Sequence, residues 1–307
     1  MTGASGFLGR AVVARLGAGG WSVDAVSTQP DSGKTPTRDI TWHRADLLRP
    51  GAVEELIAGS EAGHLIHLAW APNRGIYWSP ENFGWVTAST NLFSRFFEHG
   101  GQRAVAVGSS AEYDWRAGIC RERTTRLGGG AVYGACKRAL GELFAGLCEQ
   151  YGGPEAEPGS PSGAWARIFF LYGPHEPEDR LVPAVTRSLL EGRAAYCSEG
   201  RQVRDYLFVE DAADALVRVL DSDLSGPVNI ASGEGIRVRD LVRRIADRTG
   251  GAELVEWGVP DGHPFVVADT TRLRNELGWR PAIGLDEGMD RTVSWWRERL
   301  ATESQSS

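Results

Sequence analysis

Along the first 165 residues the spacing of apolar positions alternates between two periods. Residues 7–16 repeat at helical spacing and are closed by Gly17, Gly19 and Gly20. Residues 21–27 and 40–45 read as strands, and 53–57 as a short helix. HLIHLAW at 64–70 and RAVAVGS at 103–109 are apolar without alternation, the pattern of strands covered on both faces. Helical spacing fills 81–99 and 132–151, a Pro/Gly/Ser-rich loop fills 152–163, and 165–172 returns to a strand. Strands alternating with helices predict an α/β fold, a parallel sheet covered by helices. Beyond 172 the elements shorten: helices at 180–191, 212–221, 237–249, 271–277 and 285–300, strands at 205–209 and 228–231. This divides the chain into a main domain, 1–165, and a smaller α/β lobe, 166–301. Segment 200–232 partly returns to the main domain, and 302–307 is expected to fray.

The glycine spacing in Thr2-Gly3-Ala4-Ser5-Gly6-Phe7-Leu8-Gly9 adds chemistry to this outline. Gly3 permits a tight turn, Gly6 lets a pyrophosphate approach the backbone, and Gly9 lets the helix pack against the sheet. Free N–H groups at the helix start then face the phosphates. Such a turn follows the central strand of its sheet, yet Met1 alone stands before Thr2. The expectation is that about six to ten upstream residues supply that strand. The next strand ends in Ser27-Thr28-Gln29 without an acid, and Asp24 lies too early in it. Arg10, Lys34 and Arg38 are nearby cations, so NADP(H) is expected ahead of NAD(H). Asp46 suits an adenine amine, although it could equally cap a helix.

Composition narrows the class further. The 307 residues are 42% hydrophobic and 24% charged, which excludes a disordered chain. A net charge of −7 does not favour a nucleic-acid partner. No apolar run reaches about 18 residues, and the start carries no signal-like segment, so a cytoplasmic protein without a membrane partner is expected. The four cysteines lack zinc-like spacing, and no metal is expected. Among 33 basic residues only Lys34 and Lys137 are lysines.

Lys137 falls one helical turn after Tyr133 in YGACK, on the same face. A cation beside a phenol favours the phenolate, which makes such a tyrosine usable in proton transfer. Ser109, at the end of the buried strand 103–109, could polarise a carbonyl.

These segments together resemble the extended short-chain dehydrogenase/reductase family, the NAD-dependent epimerase/dehydratase proteins that act on nucleotide sugars. The likeness covers nearly the whole chain. It runs from TGASGFLG at 2–9 through ADL at 45–47, HLAW at 67–70, GSSAEYDW at 108–115 and YGACK at 133–137. It continues with RIFFLYGPHE at 167–176, RLVP at 180–183, EGRQVRDYLFVEDAADA at 199–215, NIASGE at 229–234 and ADTTRLRNELGWRP at 268–281. The resemblance implies a Rossmann-type doubly wound sheet and a catalytic set of Ser109, Tyr133 and Lys137. Gly3, Ser5, Gly6, Phe7, Leu8, Gly9, Ser27, Asp46, Leu47, Leu68, Ala69 and Tyr172 would meet the cofactor. Ser110, His175, Arg180 and Arg204 would meet a nucleotide-sugar substrate, with Arg204 on its diphosphate. It also implies a homodimer through the helices flanking the Ser109 strand. Leu140, Leu143, Phe144 and Leu147 on helix 132–151 could serve that interface or the core.

Departures from the family pattern bear on the reaction. Dehydratases carry Thr-Asp-Glu where this chain has Ser109-Ser110-Ala111, so elimination of water loses its acid and base unless Glu112 substitutes. GDP-fucose synthase-like members place a cysteine at Ala111. Phe170 replaces an asparagine near the sugar diphosphate, and the usual arginine is missing around 261–264. The expectation is 4-ketoreduction of an NDP-4-keto-6-deoxyhexose. C4 epimerisation with bound NAD is the first alternative. A non-catalytic NAD(P)-binding regulator and a reductase of small non-nucleotide carbonyls are the others.

Overall fold

The computed structural model describes residues 1–29, 39–71, 74–128, 130–153, 159–260, 262 and 265–305. The first half contains α1 (Phe7–Ala18), β1 (Val23–Ser27), β2 (Ile40–Arg44), α2 (Ala52–Ala58), β3 (His64–His67), α3 (Glu81–Glu98), β4 (Arg103–Ser109), β5 (Ile119–Cys120) and α4 (Val132–Gly152). Then come β6 (Ser162–Ile168), β7 (Phe170–Tyr172), α5 (Leu181–Leu190), β8 (Ala195–Cys197), β9 (Val203–Phe208), α6 (Val209–Leu220) and β10 (Gly226–Ile230). The chain finishes with β11 (Gly235–Arg237), α7 (Val238–Thr249), β12 (Val255–Trp257), β13 (Phe265–Ala268), α8 (Thr271–Glu276) and α9 (Leu285–Gln305).

The main sheet is parallel. β10, β6, β4 and β3 lie side by side, and β1 and β2 form its other wing. Thr2 joins the wings, bridging Val26 on one side and His67 on the other. Its N–H donates to Ile66 and its carbonyl accepts from Leu68. Met1–Ala4 thus lies between the wings, at the place of the central strand. A cleft of about 320 Å³ nearby is lined by Met1, Leu16, Trp21, Val23, Ile66 and Leu220.

Period-two alternation sends successive β4 residues to opposite faces. Val105 joins the core under α1 and α6, with Val12, Leu16, Leu216 and Val228. Ala104 and Ala106 join the core under α2, α3 and α4, with Leu92, Phe93, Leu140 and Phe144. Both faces are covered, which is why 103–109 shows no polar alternation.

The lobe has its own sheet. β11, β9, β13 and β5 lie in that order, with β7 also on β9, and β11 is the antiparallel strand. α5, α7 and α9 bury Val185, Leu241, Ile245 and Met289 against it. The single strand expected at 165–172 is in fact two. The Phe169 N–H turns to the Ile230 carbonyl, and the chain leaves the main sheet as β6 and enters the lobe as β7. An unbroken apolar run cannot show that crossing, because both sheets bury it. Of segment 200–232, α6 and β10 return to the main sheet, whereas β9 stays in the lobe. α9 continues to Gln305, into the segment expected to fray.

Candidate active site

The glycine turn forms one wall of a cleft of about 440 Å³ lined by Gly3, Ser5, Gly6, Phe7, Leu8 and Gly9. Gly3 sits at φ +72°, and a Cβ there would lie 2.8 Å from the Ala69 nitrogen. A Cβ on Gly9 would overlap the Gly3 carbonyl. Gly6 caps α1 without a side-chain hydrogen bond, and the first turn holds no acid. The helix start therefore presents bare N–H groups to the cleft, a cradle that fits a dinucleotide pyrophosphate. Leu68 and Ala69 close the opposite wall, and Leu47 backs it from the core.

At the far end, the Ser5 and Ser27 hydroxyls lie 2.5 Å apart. Asp24 is spent on His43 (2.7 Å) and Ser60 (3.2 Å). The exposed Asp46 accepts from the Leu48 N–H at 3.0 Å. Arg10 is exposed beside this turn, while Lys34 and Arg38 lie outside the described residues.

The three candidate catalytic residues meet at the inner end. Ser109 closes β4, and its Oγ accepts from the Ala111 N–H at 3.1 Å. The Ser109 side chain pulls the Tyr133 pKa down, against the larger effect of burial. Lys137 is 3% exposed. Its Nζ donates to the Val107 carbonyl at 2.9 Å and sits 3.8 Å from the Trp70 ring centre. Burial lowers the Lys137 pKa to about 7, against the opposing pull of Glu112. Burial raises that of Tyr133, which keeps the phenol protonated at neutral pH. Trp70 and Tyr77 approach the Tyr133 ring at 6.2 and 5.2 Å. Tyr77 carries no signal in sequence spacing; only the fold brings it here. His67 bonds Thr2 and Ser89, and burial with Lys137 nearby drops its pKa to about 3, so it stays neutral.

Glu112 does not reach this centre as an acid. It is fully buried, with Oε1 accepting from the Ser109 N–H at 2.7 Å and Oε2 from Arg167 Nε at 2.7 Å. Trp165 Nε1 donates to both oxygens. The thiol of buried Cys136 is pushed up by burial.

In the lobe several side chains gather around Arg204. Arg204 is 7% exposed and lies 5.6 Å from both the Trp115 and Phe170 ring centres. The carboxylates next to it in sequence are committed elsewhere. Asp205 accepts from Ser232, Gly233 and Ala268, and Asp211 from Ala282 and Ile283. Phe170 packs on Tyr206 at 5.7 Å. Arg180 precedes α5, and its charge acts on Tyr133. Ser110 is buried, and its carbonyl accepts from Trp115 Nε1. His175 is exposed at φ +67°, its ring 4.7 Å from that of Trp295. Tyr172 is packed inside the lobe, its hydroxyl donating to the Leu285 carbonyl at 3.3 Å rather than opening to the cleft. Sequence reasoning missed Glu176, whose buried carboxyl has an oxygen without a hydrogen-bond partner.

Among the described residues no group of His, Cys, Asp and Glu side chains could hold a metal ion. No described helix is long and apolar enough to cross a membrane.

Comparison with known proteins agrees with this fold. GDP-L-fucose synthase 1 of Arabidopsis thaliana is 27% identical, across 98% of this chain and 93% of its own length. MoeE5, solved with UDP-glucuronic acid and NAD, superposes with a TM-score of 0.84 at 26% identity, covering 97% of this chain and 98% of its own. A UDP-glucose 4-epimerase of Thermotoga maritima shares the fold, with a TM-score of 0.86 at 21% identity over 97% of this chain and 98% of its own. Residues 1–231 match the NAD dependent epimerase/dehydratase family, and the chain belongs to it, as an enzyme of the extended short-chain dehydrogenase/reductase type that uses a nicotinamide cofactor.

Proposed function

We propose that this enzyme reduces the C4 ketone of an NDP-4-keto-6-deoxyhexose, using NADPH. The observation that carries the reading is the pairing of Ser109, Tyr133 and Lys137 with the withdrawal of Glu112. A proton donor for one oxygen is assembled, and the nearest acid is locked into a buried ion pair. When bound, the cofactor supplies the hydride. Ser109 Oγ holds the ketone oxygen. Tyr133 gives that oxygen its proton, a role suited to a phenol kept neutral by burial. Lys137 steadies the charge that forms on Tyr133. Arg204 binds the diphosphate against the Trp115 and Phe170 rings. At the Ser27 end a serine pair stands where an acid would bind the ribose of NAD, which supports NADP(H).

C4 epimerisation with retained NAD is the second reading, supported by the NAD held in MoeE5. A homodimer through α3 and α4 fits both readings. Leu140 and Phe144 are core, but Leu143 and Phe83 are exposed on the outer faces of those helices.

The test mixes the protein with a dTDP-4-keto-6-deoxyhexose and follows NADPH and NADH oxidation separately. Rapid NADPH consumption is expected, and its loss in Tyr133→Phe with cofactor still bound ties it to the site. Consumption of neither, in protein shown to bind cofactor, overturns the reductase reading for this substrate and turns the assignment to the epimerase.

A further inference from the structure

Glu112 is a charged group placed within the core, and the chain is shaped around it. A Cβ on Gly108 would overlap both its Oε1 and Trp165 Nε1. A Cβ on Gly141, one turn beyond Lys137 on α4, would lie 2.9 Å from the Trp165 ring. Two glycines thus let Trp165 and the carboxylate wedge between the Ser109 strand and the Tyr133 helix. Behind them Arg167 reaches the Tyr113 hydroxyl at 3.2 Å and the Glu122 carbonyl at 3.2 Å. Tyr113 donates to Asn229 at 2.7 Å, which ties the wedge to β10. A buried ion pair adds little net stability over apolar residues of the same volume. Its conspicuous accommodation here points to another role.

We propose that Glu112 is a positioning residue that clamps the Ser109 backbone and supplies the negative charge facing Lys137. The proposal rests on the reading of Ser109, Tyr133 and Lys137 as the reaction centre. The first half is direct geometry: the 2.7 Å bond from the Ser109 N–H fixes the turn that presents Oγ. The second half follows from what surrounds the ammonium: Lys137 Nζ donates to the Val107 carbonyl, and Glu112 Oε1 lies against the next residue, Gly108. His67 on β3 is neutral, burial keeps Tyr133 protonated, and the Tyr77 ring packs 5.2 Å from that of Tyr133. Arg180 lies beside Tyr133, and Arg167 lies behind Glu112. Glu112 opposes the desolvation that disfavours the charged lysine, and it also raises the pKa of Tyr133. Without it both groups lose protons more readily.

The chain has two lysines, Lys34 and Lys137, so lysine labelled with 13C at Cε gives two resonances, and Lys34→Arg assigns them. In Glu112→Gln, which keeps an acceptor for the Ser109 N–H, the Lys137 midpoint is expected to fall by about one pH unit. Because Arg167 is then unpaired, the double variant Glu112→Gln/Arg167→Gln accompanies it, with a midpoint between those of parent and single variant. Under turnover, the single variant loses kcat with KM held, and its alkaline limb moves to lower pH. An unchanged or raised Lys137 midpoint in both folded variants overturns the proposal. If no nucleotide sugar is turned over, the resonance titration still decides it. Turnover without a midpoint shift removes the electrostatic role and leaves the proposed reaction standing.

Discussion

The dinucleotide wall and the lobe wall that the proposed reaction needs are built from different materials. On the dinucleotide side the surface is backbone: the turn from Gly3 to Gly9, the bare start of α1, and the strand ends at Ser27 and Ala69. On the lobe side it is side chains: Arg204 near the Trp115 and Phe170 rings, with Tyr206 beside Phe170 and Arg180 at the start of α5. Backbone surfaces recognise what all dinucleotides share, a pyrophosphate near a helix start. Side-chain surfaces can be exchanged one residue at a time without moving the sheet. By the family resemblance Phe170 stands where an asparagine is usual, which fits such an exchange, and on the proposed reading substrate identity is set on the lobe side.

The sharpest way to break this comparison acts at the junction of the walls. Tyr133→Phe removes the proposed proton donor and leaves both surfaces intact. Turnover should fall about a thousandfold. Cofactor affinity, read by fluorescence titration, should hold. If cofactor binding collapsed as well, Tyr133 would belong to the dinucleotide wall, and the division drawn here would fail.

Arg204→Ala tests the lobe alone. Loss of a buried guanidinium proposed to meet a diphosphate should cost about 2–3 kcal/mol of substrate binding. The KM for the nucleotide sugar should rise accordingly while the KM for NADPH stays near its original value. Equal losses in both would show that Arg204 supports the whole cleft rather than one wall.

How much of each wall could be read from the sequence follows from the same difference. Gly3, Gly6 and Gly9 fall within one short stretch, and the steric reason for each is local, so the turn is legible without the fold. Tyr133 and Lys137 share one helical face, and Ser109 ends a strand that announces itself by its apolar run. The lobe offers no such compactness. Trp115, Phe170 and Arg204 come from three distant segments, and Tyr77 reaches Tyr133 from a short 3-10 turn. β5, β8, β11 and β12 are two or three residues long, too short to leave a period. Tyr172 follows β7 into the lobe core, a path hidden by the break at Phe169.

Thr28→Asp sharpens the reading of the dinucleotide wall. Thr28 is exposed and lines the cleft at the end of β1. A carboxylate there repels the extra phosphate of NADPH and offers the ribose of NADH a partner. The ratio of kcat/KM values for NADPH and NADH should shift about tenfold toward NADH. An unchanged ratio would show that the adenosine ribose is read elsewhere.

The smallest expected effect concerns stability rather than turnover, and it comes from Glu176 in the loop leading to α5. Burial holds its carboxyl pKa well above the usual range, against the pull of Arg180. Below the unfolded-state pKa the group is protonated in both states and adds no pH dependence. As pH rises past that point the unfolded chain releases the proton and the folded chain does not, so folding loses ground until the raised pKa is passed. Glu176→Gln removes this loss. The variant and parent should melt together near pH 4, and the variant should gain a few degrees toward neutral pH, where each kcal/mol is worth about 2–4 °C in a chain of this size. A melting difference that stays flat from pH 4 to 8 would mean that Glu176 is ionised in the fold. The lobe wall would then carry a buried negative charge beside Tyr206, and a diphosphate bound at Arg204 would have to overcome it.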